Sequence, residues 1–287
     1  MDAGVHLPLI DFSGGGFSYR RLAETVDAAR ACGFGAVSAN DHFLFSAPWL
    51  DGLTALAAVI ERSGGMKLVT TVALAALRGP VPLAKALSAL DELSDGRVIA
   101  GVGPGSSRAD YDAVGVPFEQ RWQRFDETLQ LIKAMLQPAT AGSDGAPAQS
   151  LLSPSRPGRG IPVWIGSWGS RAGMRRVARA ADGWLASAYN TTPEAFTAAM
   201  EVLGGELESQ QRPSGDFPEC ACHDVGLDYR QPPGGRPGSV RDRRSAGQAR
   251  PGRAPRPDLR RLGGRVRRAA VPLCPRGVPA SPLLASG

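Results

Sequence analysis

Apolar positions along the first 210 residues alternate between two periods, and the alternation reads as strand then helix, repeated. Gly4–Leu9 (GVHLPL) predicts a first strand. Tyr19–Cys32 predicts a helix with Leu22, Val26, Ala28 and Ala29 near helical spacing, and Gly33 suits its C-terminal cap. Ala36–Asn40 predicts a second strand and Trp49–Arg62 a helix that stops at Gly64-Gly65. Lys67–Leu74 (KLVTTVAL) is a β-branched third strand, Pro80–Leu93 a helix, Arg97–Gly103 a fourth strand and Phe118–Leu136 a long amphipathic helix. Residues 137–160 read as loop. Ile161–Gly166, Ser170–Ala181, Gly183–Ala188 and Pro193–Glu208 predict two further strand–helix units.

Six such units with short connections predict a parallel sheet. An open doubly wound sheet and a closed (β/α)8 TIM barrel compete. Length favours the barrel, since eight units of about 36 residues fill a chain of 287. The loop after the first strand also lacks the glycine order of a dinucleotide-binding sheet: Ser13-Gly14-Gly15-Gly16 has no G-x-G-x-x-G.

Composition changes sharply near residue 220. Residues 221–287 hold 14 Arg, 10 Pro and 10 Gly and no Phe, Ile, Met or Trp. Such a stretch buries too little apolar surface to offset its ordering entropy, so a barrel-like domain over 1–219 and a disordered tail over 220–287 are expected. Two origins stay open. The tail is a genuine basic extension, or it is a GC-rich gene read in a shifted frame. For one choice of codons, Cys220–Val225 read one base later gives Ala-Leu-Ala-Thr-Thr-Trp, a strand-like sequence. The tail carries net +10 and leaves the first 220 residues at −4, with Tyr229 its one aromatic, so no nucleic-acid partner is expected. No apolar run is long enough for a membrane span and no leader pattern opens the chain, which predicts a cytoplasmic protein with no membrane partner. Cys220-x-Cys222-His223 is half of a metal motif with no second half, so no metal is expected.

In a barrel, chemistry sits where the strands end. After the second strand comes Asn40-Asp41-His42-Phe43, and His42 reads either as a proton donor or acceptor or as a structural histidine bonded to backbone. After the fourth comes Gly101-Val102-Gly103-Pro104-Gly105-Ser106, either a plain turn or a close approach to a flat ring or phosphate. After the fifth, Gly166-Ser167-Trp168-Gly169-Ser170 leads into a helix and suits a phosphate, with Arg171, Arg175 and Arg176 as added charge.

AVSANDHF, the block PVPLAKALSALDELSDGRVIAGVGPG with DYDAVGVPFEQRWQRFDETLQLIKAML, and IPVWIGSWGSRAGMRRVARAADGWLASA together resemble the luciferase-like monooxygenases and coenzyme F420-dependent oxidoreductases, over about residues 3–210. The resemblance implies a TIM barrel holding F420 or FMN, with F420 slightly preferred. It implies hydride transfer or monooxygenation of a small organic substrate. It places His42 beside the reactive ring with Asp41 orienting or supporting it. Thr71-Val72 falls where the family often has a non-prolyl cis peptide behind the ring. Gly103, Gly105 and Ser106 would line the ring edge and phosphate, Gly166, Ser167, Trp168, Gly169 and Ser170 would hold the phosphate, and Asp110-Tyr111 matches an acidic–aromatic pair near the mouth. A separate flavin reductase is implied if FMN is used, and a homodimer is allowed for. Ser106 departs from the glutamate of the sugar-phosphate dehydrogenases. Units seven and eight find no counterpart in 220–287, so a truncated, inactive fragment is the alternative.

Overall fold

In the computed structural model the described residues are 4–12, 14–137, 160–187, 190–213 and 217–222, the last four of these as backbone. The strands are β1 (Gly4–His6), β2 (Ala36–Ala39), β3 (Lys67–Thr70), β4 (Ala73–Leu74), β5 (Val98–Gly103), β6 (Val163–Ser167), β7 (Gly183–Ser187) and β8 (Glu219–Cys222). They form one all-parallel sheet in the order β1-β2-β3-β5-β6-β7-β8, with β4 also pairing β5. The helices are α1 (Tyr19–Ala31), α2 (Gly52–Ala58), α3 (Ala75–Arg78), α4 (Pro80–Leu93), α5 (Arg108–Ala113), α6 (Arg121–Leu136), α7 (Arg171–Ala180) and α8 (Pro193–Ser209). The sheet is a curled half-barrel, and the strand–helix alternation expected from the sequence is observed over the described units.

Local chemistry sets most helix ends. Ser18 caps α1 by accepting from the Arg21 amide, and Gly33 follows with a φ of 77°. Thr192 caps α8 and is followed by Pro193 at its first position. α1 turns Leu22, Ala23, Val26 and Ala29 into the core. There they join Val37, Leu68, Ala100, Val163 and Trp184 from the strands.

Several elements differ from their sequence-based expectation. The helix expected over Trp49–Arg62 is shorter, because Trp49 makes an antiparallel bridge with Ile10 and Asp51 caps the helix only from Gly52 onward. The third strand divides into β3 and β4 at the Thr71–Val72 bond, which is cis. α5 has no counterpart among the expected helices. Its signal is a capping pattern: Ser107 accepts from the Asp110 amide and Asp110 sits in the first turn.

The sheet continues past the compositional boundary. β8 pairs with β7 in the frame as written, with Leu185 opposite Cys220 and Ser187 opposite Cys222. One compact unit spans Met1–Gly226. Of the tail expected over 220–287, Cys220–Cys222 lie in β8, whereas residues 223–287, with the rest of the shifted-frame segment and His223 of the metal half-motif, lie outside the described residues. Among the described residues no helix is long and apolar enough to cross a membrane, and no three metal-binding side chains cluster.

The two ends of the sheet are built differently. Toward the C-terminal ends of the strands, a Cβ on Gly101 would lie 1.9 Å from the Thr70 carbonyl oxygen, and Thr70 Oγ1 donates to the Gly101 carbonyl at 2.7 Å. At the opposite end, Arg97 donates to the carbonyls of Ser94, Met66 and Ile60 and to Ser63 Oγ, at 2.6 to 3.0 Å. That end is built of backbone carbonyls and one guanidinium and serves stability.

Candidate active site

All strands are parallel, so their C-terminal ends share one rim, and the loop after β2 brings the first reactive groups there. Its two polar residues part company. Asp41 turns inward and is 5% exposed. It accepts from the Leu74 amide at 3.1 Å and receives Arg78 bidentately, Nε at 2.6 Å and Nη2 at 2.7 Å. Arg78 also donates to Asp51, the cap of α2. Burial opposes the Arg78 charge, but Asp41 and Asp51 outweigh it and hold the guanidinium above its ordinary value. Burial likewise works against Asp51, and the Thr54 hydroxyl and amide with Arg78 overcome it, so its carboxyl lies below the usual range. The described partners of Asp41 do not include His42, so of the two expected roles it carries support rather than orientation, tying the loop after β2 to α3 and, through Arg78, to α2.

His42 is oriented by a different carboxylate. Asp110, on α5 and 1% exposed in its side chain, lies 2.7 Å from His42 Nδ1. Its other oxygen accepts from the Phe43 amide at 2.9 Å and the Leu44 amide at 2.7 Å. A carboxylate only accepts, so the Nδ1 hydrogen faces Asp110, and in the neutral ring the lone pair is on Nε2. Nε2 has no partner among the described residues, and the side chain is 21% exposed. The ring packs against Trp49, at 4.6 Å, and Phe45, at 5.4 Å. His6 makes the contrast: its Nδ1 faces the Leu7 carbonyl and its Nε2 accepts from the Asn40 amide, the backbone-bonded arrangement weighed for His42.

Val72 governs the glycines. A Cβ on Gly103 would fall 2.6 Å from Val72 Cγ2, and one on Gly166 would fall 2.7 Å from Val72 Cγ1. On the side where a Cβ would stand, the room these glycines leave is filled by Val72. Gly105 takes a φ of 82°, and Ser106 beside it is exposed. Tyr111, expected at the ligand, is instead fully buried, and its hydroxyl donates to the Pro104 carbonyl. Burial pushes that phenol up to about 12. It acts on the Gly103-Pro104-Gly105 turn from below.

The turn after β6 is pinned internally. Ser170 caps α7 by accepting from the Gly173 amide at 3.2 Å, Ser167 Oγ accepts from the Gly169 amide at 3.4 Å, and Trp184 Nε1 donates to the Ser167 carbonyl at 3.0 Å. Gly169 has a φ of 84°, and a Cβ there would lie 3.0 Å from Ala199. Trp168 is 59% exposed. The first amides of α7, at Arg171 and Ala172, have no intrahelical partner and form the positive end of its dipole. Two of the arginines expected to assist are committed elsewhere: Arg176 pairs Asp126 at 2.6 Å and Arg175 pairs Glu206 at 3.4 Å.

Thr71 Oγ1, Asn40 Oδ1 and Trp49 Nε1 are buried with no hydrogen-bond partner. A buried unsatisfied polar atom costs about 1–3 kcal/mol. These three lie near the ends of β2 and β3 and beside His42, where a bound ligand could supply partners; Ser88 Oγ and Thr191 Oγ1 are unpartnered elsewhere.

The family model described as luciferase-like monooxygenase matches residues 5–222. The F420-dependent glucose-6-phosphate dehydrogenase of Amycolatopsis mediterranei is 29% identical over 181 residues, 59% of this chain and 54% of that protein. The chain spans about half the length of the curated relatives it matches. Two solved structures show the same fold. An F420-dependent secondary alcohol dehydrogenase in complex with an F420–acetone adduct superposes with a TM-score of 0.63 at 16% identity, covering 77% of this chain and 68% of that one. The oxygenating constituent of 3,6-diketocamphane monooxygenase from Pseudomonas putida, in complex with FMN, gives 0.59 at 15%, covering 74% and 63%.

Proposed function

The chain belongs to the luciferase-like monooxygenase family, and on that premise we propose that it is a hydride-transferring oxidoreductase that uses F420, or less favourably FMN, with His42 as proton acceptor and donor. The observation that carries this reading is the Asp110–His42 pair, whose free Nε2 stands at the strand ends. A bound deazaflavin supplies a two-electron acceptor that takes a hydride and does not support oxygen activation.

When an alcohol is oxidised, its C–H bond breaks as hydride leaves and its hydroxyl proton must go elsewhere. His42 Nε2 takes that proton, and the imidazolium formed is stabilised at Nδ1 by Asp110. In the reverse direction the same nitrogen protonates the carbonyl oxygen. Asp110 is a positioning residue. It fixes the tautomer, and through the Phe43 and Leu44 amides it fixes the loop carrying the ring. Thr71, Val72, Gly105 and Ser106 would line the bound ring, with Val72 behind it. The Ser167–Ser170 turn and the first amides of α7 would hold a phosphate. Gly103 and Gly166 would act by admitting Val72 and Tyr111 by bracing Pro104. A (β/α)8 barrel whose last two units are missing or replaced belongs to the same proposal.

The test is a fluorescence titration of the full chain with F420 and with FMN. Saturable F420 binding, weakened by Ser170→Ala, is expected. Binding of FMN alone would overturn the cofactor preference, and binding of neither would favour an inactive fragment.

A further inference from the structure

The loop that carries His42 also carries an exposed apolar wall. Phe45 is 47% and Leu44 53% exposed. The Phe45 ring stands edge-on to Trp49 at 4.7 Å, and both rings pack on His42. This exposure does not come from a loose loop, because Asp110 accepts from the backbone amides of Phe43 and Leu44 just before it. One buried carboxylate thus orients the base and presents the apolar side chains next to it.

The electrostatics of the loop disfavour an anionic ligand. Arg78, the cation packed on the Phe43 ring at 5.3 Å, is committed to Asp41 and Asp51. A phosphate or carboxylate brought to Nε2 would be desolvated against Phe45 and Trp49 and would approach the Asp110 carboxylate. A hydroxyl or carbonyl oxygen brings no charge, and it supplies the kind of acceptor that buried Trp49 Nε1 lacks.

We propose that Leu44, Phe45 and Trp49 make the His42 site selective for uncharged alcohols or ketones with an apolar group beside the reacting carbon. The proposal rests on the redox reading for the reaction, and on the wall alone for selectivity.

The experiment is calorimetric titration of the full chain, with F420 and without cofactor, using cyclohexanol and cyclohexyl phosphate, which share a ring and differ in charge. Cyclohexanol is expected to bind at least tenfold more tightly. Phe45→Ala should weaken cyclohexanol at least fivefold, and Phe45→Leu should keep most of its affinity. Tighter binding of cyclohexyl phosphate, binding of neither, or an unchanged affinity in a folded Phe45→Ala protein would overturn the proposal. A chain that takes up no F420 or FMN yet keeps the preference for cyclohexanol would fail the redox reading and retain this one. A chain that reduces F420 with a sugar phosphate would do the opposite.

Discussion

The loop after β2 and the turn after β6 stand at the same rim of one parallel sheet, yet they are assembled by opposite means. The turn after β6 is tied mainly by bonds between residues two or three apart, from Gly169 to Ser167 and from Gly173 to Ser170, with Trp184 adding a bond from further along the chain. The loop after β2 is held by groups from other elements: Asp110 of α5 on one side and Arg78 of α3 on the other. Its two carboxylate contacts look alike in sequence and do different work. Asp110 serves a ring with an open nitrogen, whereas Asp41 serves a closed ion cluster. Local construction suits a site that only binds, and construction from several elements fixes a base to the accuracy that proton transfer needs.

Breaking the β2 loop at its chemical end should have the largest effect. His42→Ala is expected to lower kcat for cofactor reduction by about 10²–10⁴ while F420 affinity holds, measured by steady-state kinetics. Asp110→Asn should give a loss of similar kind, because the amide no longer enforces Nδ1–H. Added imidazole should restore part of the activity to His42→Ala and none to Asp110→Asn.

Breaking the same loop at its ion cluster should act on stability instead. Asp41→Ala leaves Arg78 half-paired in a buried setting and is expected to cost about 3–5 kcal/mol by denaturant unfolding, with the pH dependence of any residual activity unchanged. A kinetic loss without destabilisation would return Asp41 to the orienting role.

The smaller effects lie elsewhere on the rim. Tyr111→Phe should cost about 1 kcal/mol by removing the bond to the Pro104 carbonyl. The phenol is raised in the folded state from 10.0 to about 12, so its contribution is fully present below pH 10 and is lost as pH rises toward 12. Melting temperatures should fall across that window in the wild type and less steeply in Tyr111→Phe. Ser170→Ala should cost about 1 kcal/mol as a lost cap, with a parallel loss of cofactor affinity.

What could be read in the sequence obeys the same division. Strand and helix periods, the Ser–Trp–Gly–Ser turn and the Pro80–Leu93 helix depend on neighbours in the chain, and they appear where the pattern put them. His42 was visible because a strand ends just before it. The resemblance put Asp110 near the mouth, but its pairing with His42 was not legible, since the two lie 68 positions apart and the helix that carries Asp110 spans only six residues. The role of Asp41 came from the family resemblance, and sequence alone could not show that successive residues after a strand turn to opposite sides, which leaves the neighbour of the ring poorly placed to touch it. The filling of Gly103 and Gly166 by Val72 was equally hidden, because three strand ends meet there.

The Asp110–His42 pair as proton acceptor during hydride transfer is the central claim. The measurement that addresses it is single-turnover reduction of F420 bound to the full chain by a secondary alcohol, tracked at the cofactor absorbance across pH in wild type and Asp110→Asn. The expected rate rises with deprotonation of one group and falls at least a hundredfold in the variant, with F420 binding retained. A pH-independent rate that is equal in the two proteins would contradict the claim.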